Sequence, residues 1–98
     1  MSYVIYVLLD PRDTTARYVG MTNDITERFI QHLRMGEVNS EKNLWIHELK
    51  GQGLLPICRT LEVVQNERDA RQQERAWIMA FMEIEQPLFN VEATGRQR

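Results

Sequence analysis

Apolar residues run along the chain in two rhythms, one suited to strands and one to helices. Tyr3 to Leu9 is an unbroken apolar run rich in Val, Ile, Tyr and Leu, stopped by Asp10-Pro11, and it predicts a strand ending in a turn. Arg17 to Met21 predicts a second short strand, and the polar residues between them fit a hairpin loop, so the two strands are expected to be antiparallel neighbours. Ile25, Phe29 and Leu33 then recur every fourth residue as the apolar stripe of a helix. Thr22, Asn23 or Asp24 would cap it, and it would run to about Met35 before Gly36. Ser40 predicts the cap of a second helix, from about Glu41 to Lys50, with Leu44, Trp45 and Leu49 apolar. Pro56 to Gln65 predicts a third strand with Ile57, Leu61 and Val63 on one face.

Asn66 caps a longer helix, expected to reach about Glu85, whose first turn carries Glu67 and Asp69, where the helix dipole favours acids. Its buried stripe is expected to be Ala70, Trp77, Ile78, Phe81 and Ile84, and Leu88 to Val91 forms a short apolar return segment. The order β-β-α-α-β-α predicts an α+β domain, a small three-stranded sheet with helices packed on it.

Composition narrows the class without naming a function. At 98 residues, one domain with one modest core is the expectation, covering residues 1–91, with a polar tail over 92–98. A hydrophobic share of 43% and a charged share of 27% exclude a disordered chain. The lone Cys58 excludes an internal disulfide and a cysteine-built zinc site, and it fits a reducing compartment. The opening MSYVIYVLLD has too short an apolar run, with no basic flank, for a signal peptide or membrane span, so a soluble, cytoplasmic or nucleoid-associated, non-secreted protein is expected. A net charge of −2 argues against a general phosphate-coating protein, so any nucleic-acid contact has to come from a local patch.

Glu74 breaks the pattern. It stands four, three, four and seven residues from Ala70, Trp77, Ile78 and Phe81, inside the apolar stripe. A carboxylate tolerates such a place only when paired or bound to a metal. The plain alternative is an edge position with Arg71 or Arg75 as partner. Arg28 and His32, four apart, share a helix face, where a guanidinium can grip a phosphate oxygen and an imidazole can handle a proton; a merely solvated face reads the same way. Tyr6 and Tyr18 come from the two strands of the hairpin and could equally be ordinary strand formers. Gly20 would permit close approach of the following helix. His47 reads as a surface residue, and Trp45 and Trp77 as core anchors.

In order, these residues resemble the GIY-YIG endonuclease family. Val4-Ile5-Tyr6 lies in the first strand and Tyr18-Val19-Gly20 in the second. Arg28 and His32 lie on the next helix, Glu74 on the third helix and Asn90 in the closing segment. The one departure is Val4, where the family motif begins with glycine. The resemblance spans about residues 3 to 91 and implies an antiparallel three-stranded sheet flanked by helices. It also implies hydrolysis of DNA phosphodiester bonds with one divalent ion, Mg²⁺ or Mn²⁺, held by Glu74, and no organic cofactor. It gives the scissile phosphate to Arg28, activation of water to Tyr6 with His32, orientation of water or phosphate to Tyr18, and steadying of the site to Asn90. Arg34 and Lys42 could extend a phosphate track, and Arg96 with Arg98 a basic tail. Members commonly carry a separate DNA-binding module, for which this sequence leaves no residues, so specificity is expected to be low or set by a protein partner or by DNA structure; no membrane partner is expected. The rival expectations are a non-catalytic DNA- or partner-binding module on the same fold, and a repair-nuclease subunit that needs a partner.

Overall fold

A computed structural model describes residues 2–34 and 40–90. The order is β1 (Tyr3–Leu9), β2 (Ala16–Thr22), α1 (Ile25–Arg34), α2 (Glu41–Gly51), β3 (Ile57–Val64) and α3 (Glu67–Glu83), the α+β arrangement expected. The expected stop of the first helix at Met35-Gly36, Val91 and the tail with Arg96 and Arg98 lie outside the described residues.

The strands form one antiparallel sheet in the order β2-β1-β3, which puts β1 in the middle. This explains why β1 is apolar throughout and does not alternate: a central strand covered on both faces has no wet side. Ile5, Val7 and Val19 face α3 and pack with Ala70 and Leu88. Tyr6 and Leu8 face the other way, onto Trp45, Ile46 and Leu49 of α2, with Ile25 and Phe29 of α1 packed alongside.

Each helix begins at a side-chain cap. The Asp24 carboxylate accepts from the Glu27 N–H at 3.0 Å, the Ser40 hydroxyl from Asn43 N–H at 3.1 Å, and Asn66 Oδ1 from Asp69 N–H at 2.8 Å. Ala70, fully buried, is the smallest residue of the α3 stripe and lets the helix lie close to the sheet.

Two expectations of facing fail. Ile84 is 65% exposed, because α3 ends at Glu83 and the turn after it carries Ile84 off the sheet. On β3, Ile5 pairs with Glu62 but Tyr6 with Thr60, so the extra residue is a bulge at Leu61. The bulge resets the alternation. Leu61 and Val64 therefore share the α3 side, Cys58 faces the α2 side, and Val63 is left 53% exposed. Of the two expected core tryptophans, Trp45 is buried, whereas Trp77 is half-buried and donates its Nε1–H to Glu62 at 3.0 Å.

Candidate active site

Tyr6 and Tyr18 reach the same face of the sheet from neighbouring strands, with ring centroids 6.4 Å apart. His32, buried on the inner face of α1, sits edge-on to both, at 5.8 Å from the Tyr6 ring and 5.5 Å from the Tyr18 ring. Its Nε2 and the Tyr6 hydroxyl are hydrogen-bonded at 2.8 Å. Arg28, one turn earlier on α1, lies close enough for its charge to act on both phenols and donates from Nη1 to Gln31 Oε1 at 3.0 Å. Four of the six residues singled out in the sequence thus form one polar cluster drawn from β1, β2 and α1.

Lys42 of α2 completes it. Its Nζ stands 3.1 Å from His32 Nδ1 and 4.8 Å from the centre of the Tyr18 ring. A charged ammonium has no lone pair, so while Lys42 is charged Nδ1 accepts, and Nε2–H must donate to Tyr6 Oη. Sequence spacing gave Lys42 only a place on a phosphate track. Its inward contact depends on how α1 and α2 cross, which no periodicity reveals. Arg34, by contrast, is exposed at the end of α1.

Electrostatics divide the cluster into groups that hold a proton and one that can give it up near neutral pH. Burial, then Tyr18, pushes the Tyr6 phenol well above its ordinary value, against the pull of Arg28. Burial also raises Tyr18; Arg28 opposes this and the charge of Glu74 adds to it. His32 is lowered to about 3 by burial and then by the Lys42 and Arg28 charges, so it stays neutral. Burial and Arg28 bring Lys42 down to about 8.

Glu74 comes to this cluster from α3, close enough for its charge to act on Tyr18. It is half-buried, and burial raises its carboxyl despite Arg71 and Arg75. Arg71 pairs with Glu67 one turn away. Among the described residues, Glu74 makes no ion pair and no group of three His, Cys, Asp or Glu side chains is arranged to share a metal.

Asn90 works from behind. Its Nδ2–H donates to Val19 O at 2.9 Å, and its Oδ1 accepts from Val19 N–H at 2.8 Å, so one side-chain amide satisfies both outward backbone groups of a residue between Tyr18 and Gly20. Gln86 Oε1 takes the Ala16 N–H at 2.7 Å, and Arg17 Nε–H donates to Pro87 O at 3.1 Å. Residues 86–90 thereby close the free edge of β2. Gly20 also has a different reason from the one expected. Paired with Tyr6 across the sheet, it lies under that ring, and a Cβ there would stand 2.5 Å from Tyr6 Oη and 2.6 Å from Cζ. The close approach is made by the tyrosine, not by the following helix.

A further polar centre surrounds Asp10, which the sequence marks only as a turn residue and which is 1% exposed. Its carboxylate accepts from Arg12 backbone N–H (2.8 Å), Arg12 Nε (2.9 Å) and Nη2 (2.7 Å), Arg17 Nη1 (3.3 Å) and Trp45 Nε1 (2.8 Å). Arg17 in turn lies over the Phe89 and Trp45 rings, at 4.6 and 5.4 Å.

Phenols, imidazole, guanidinium and amine thus gather on the α1/α2 side of the three-stranded sheet, and the Glu74 carboxylate approaches Tyr18 from α3. The model of the GIY-YIG catalytic domain matches residues 2–85, and the chain belongs to that family, a nuclease-type family. Neither a curated protein nor a solved structure matches the chain. No helix among the described residues is long and apolar enough to cross a membrane.

Proposed function

We propose that this chain is a DNA endonuclease that hydrolyses phosphodiester bonds with one divalent cation. The observation that carries this reading is the convergence of Tyr6, Tyr18, Arg28 and His32 into one polar cluster, in which Tyr6, His32 and Lys42 are hydrogen-bonded in series and Tyr18 packs against Tyr6 and His32. A sheet needs no such buried polar set for its stability.

The donor set suits a single ion. One desolvated carboxylate, Glu74, with no group of three His, Cys, Asp or Glu side chains arranged to share a metal among the described residues, fits one Mg²⁺ or Mn²⁺ completing its shell with waters and phosphate oxygens better than a two-metal site. Glu74 would hold the ion, which when bound neutralises charge on the phosphate and stabilises the leaving 3′ oxygen. Arg28 grips a non-bridging phosphate oxygen and supplies fixed positive charge. Tyr6 takes a proton from the attacking water, His32 supports its hydroxyl, and Tyr18 orients the water or the phosphate. Asn90 holds the Val19 backbone and so the placement of Tyr18. Arg34, exposed at the end of α1, extends the positive surface along the DNA strand, whereas Lys42 is turned inward onto His32. With a net charge of −2, contacts to DNA are local, and choice of site or branch is left to DNA structure or to a protein partner. A DNA substrate goes with a cytoplasmic or nucleoid-associated place in the cell.

Incubation of supercoiled plasmid with the protein in Mg²⁺ or Mn²⁺ tests the reading: nicking is expected, abolished by a chelator. Plasmid that is bound but never nicked would instead support the non-catalytic module, and cleavage of branched DNA only after a partner is added would support the dependent subunit.

Gly20→Ala is expected to disable the site through Tyr6 alone. The added methyl has to displace the ring by several tenths of an ångström or more, breaking the bond to His32. A misplacement on the order of 1 Å costs about 10²-fold in rate, and overpacking costs about 1–3 kcal/mol in stability. Plasmid nicking and thermal unfolding read the two effects; a variant with wild-type activity would contradict the placement of Tyr6.

A further inference from the structure

We propose that Lys42 is the terminal proton acceptor of a relay that starts at the attacking water and runs through Tyr6 and His32. The proposal rests on the nuclease reading for its substrate, but its wiring is a property of the free protein.

The path is continuous. Tyr6 Oη and His32 Nε2 are 2.8 Å apart, and His32 Nδ1 and Lys42 Nζ are 3.1 Å apart, so the two nitrogens of one buried imidazole bridge a phenol and an amine. Gly20 beneath the Tyr6 ring and the Tyr18 ring beneath Nζ hold the two ends. Among the groups facing Lys42 are Arg28 and His32 from α1 and Tyr18 from β2, with Tyr6 of β1 beyond the imidazole.

Neither intermediate group can store the proton. The Tyr6 phenol is held protonated by burial, and an imidazole lowered to about 3 does not stay cationic at neutral pH. Each can only pass a proton on while taking another. The amine is different, because at about 8 its neutral form is accessible. Once neutral, Lys42 offers a lone pair to Nδ1–H, and Nε2 is freed to accept from Tyr6.

The transfer then balances. Water loses a proton to Tyr6 Oη as its oxygen bonds to phosphorus, Tyr6 gives its own proton to His32 Nε2, and His32 gives the Nδ1 proton to Lys42, which becomes an ammonium. His32 remains neutral and changes tautomer. After product leaves, the same path runs backwards to bulk water and restores the resting state.

Two readouts test this. In wild-type protein free of DNA, ¹⁵N spectra of His32 are expected to show Nε2–H below the titration of Lys42 and Nδ1–H above it, near pH 8. One tautomer throughout that range overturns the relay whether or not the protein cuts DNA. In cleavage assays, the wild-type rate is expected to rise with pH through about 8, since the base form lies above the pKa. Lys42→Arg and Lys42→Met are both expected to lose that limb and about 10²-fold in kcat, with little change in KM. Arginine keeps the charge but cannot give up its proton, so a Lys42→Arg enzyme with wild-type rate and pH profile would show that charge alone suffices and would overturn the relay. A wild-type chain that shows the tautomer change but never nicks DNA supports the wiring and refutes the nuclease reading.

Discussion

Glu74→Ala is expected to reduce metal-dependent cleavage by about 10³-fold or more while leaving the fold intact. The first half follows from the proposed ligand role: a cation's stabilisation of phosphoryl charge is worth several kcal/mol, and each ~1.4 kcal/mol is tenfold in rate. Among the described residues no group of three His, Cys, Asp or Glu side chains is arranged to hold the ion in its place. The second half follows from the environment. Burial raises the Glu74 carboxyl, so its charged form is unfavourable where it stands, and Arg71 is engaged with Glu67. Removing the side chain relieves a desolvation cost and breaks no ion pair among the described residues. Cleavage kinetics at fixed Mg²⁺, metal titration by calorimetry and thermal unfolding separate these statements. Undiminished cleavage by the variant would remove Glu74 from the ligand role, and a collapsed unfolding temperature would mean that the residue is structural.

The largest loss of stability is expected at Asp10, away from the cluster. Asp10→Ala strips the acceptor from two guanidinium groups and from the buried Trp45 Nε1–H at once. Breaking a buried pair costs about 3–5 kcal/mol. Arg12 and Arg17 keep 34% and 21% of their side-chain surface and can turn to water, which puts the expected loss near the lower end, about 3 kcal/mol. Hydrogen bonds from Arg12, supported by Trp45, hold the Asp10 carboxyl well below the usual range. The folded value lies below the unfolded one, so this contribution is present above the ordinary carboxylate pKa of about 4 and is lost as pH falls further. Urea unfolding of wild type and variant is expected to differ fully at pH 7 and to converge in strong acid. A constant gap down to the lowest pH would show that the carboxylate charge is not what stabilises.

The strands and helices were readable because each carries its own period and punctuation: the apolar run of β1, the four-residue stripe of α1, the caps Ser40 and Asn66. Glu74 was readable as an anomaly because a carboxylate inside a stripe violates the pattern that surrounds it. What escaped depends on contacts between elements. The bulge at Leu61 is set by strand pairing, so the facing of Val63 could not be taken from alternation. Gly20 lies under Tyr6 because of sheet register, and Lys42 meets His32 because of how α1 and α2 cross. Asp10 sat at a turn, where an aspartate is unremarkable, and only its burial under Trp45 and two arginines shows otherwise.

The side-chain clasp of residues 86–90 on β2 also sets an order of assembly. The strand carrying Tyr18 is translated early, yet the amide that satisfies Val19 and the glutamine that satisfies Ala16 belong to the stretch at 86–90, so that edge stays open on the ribosome until those residues emerge. A nascent chain that ends before Gln86 therefore lacks the side chains that hold β2 around Tyr18.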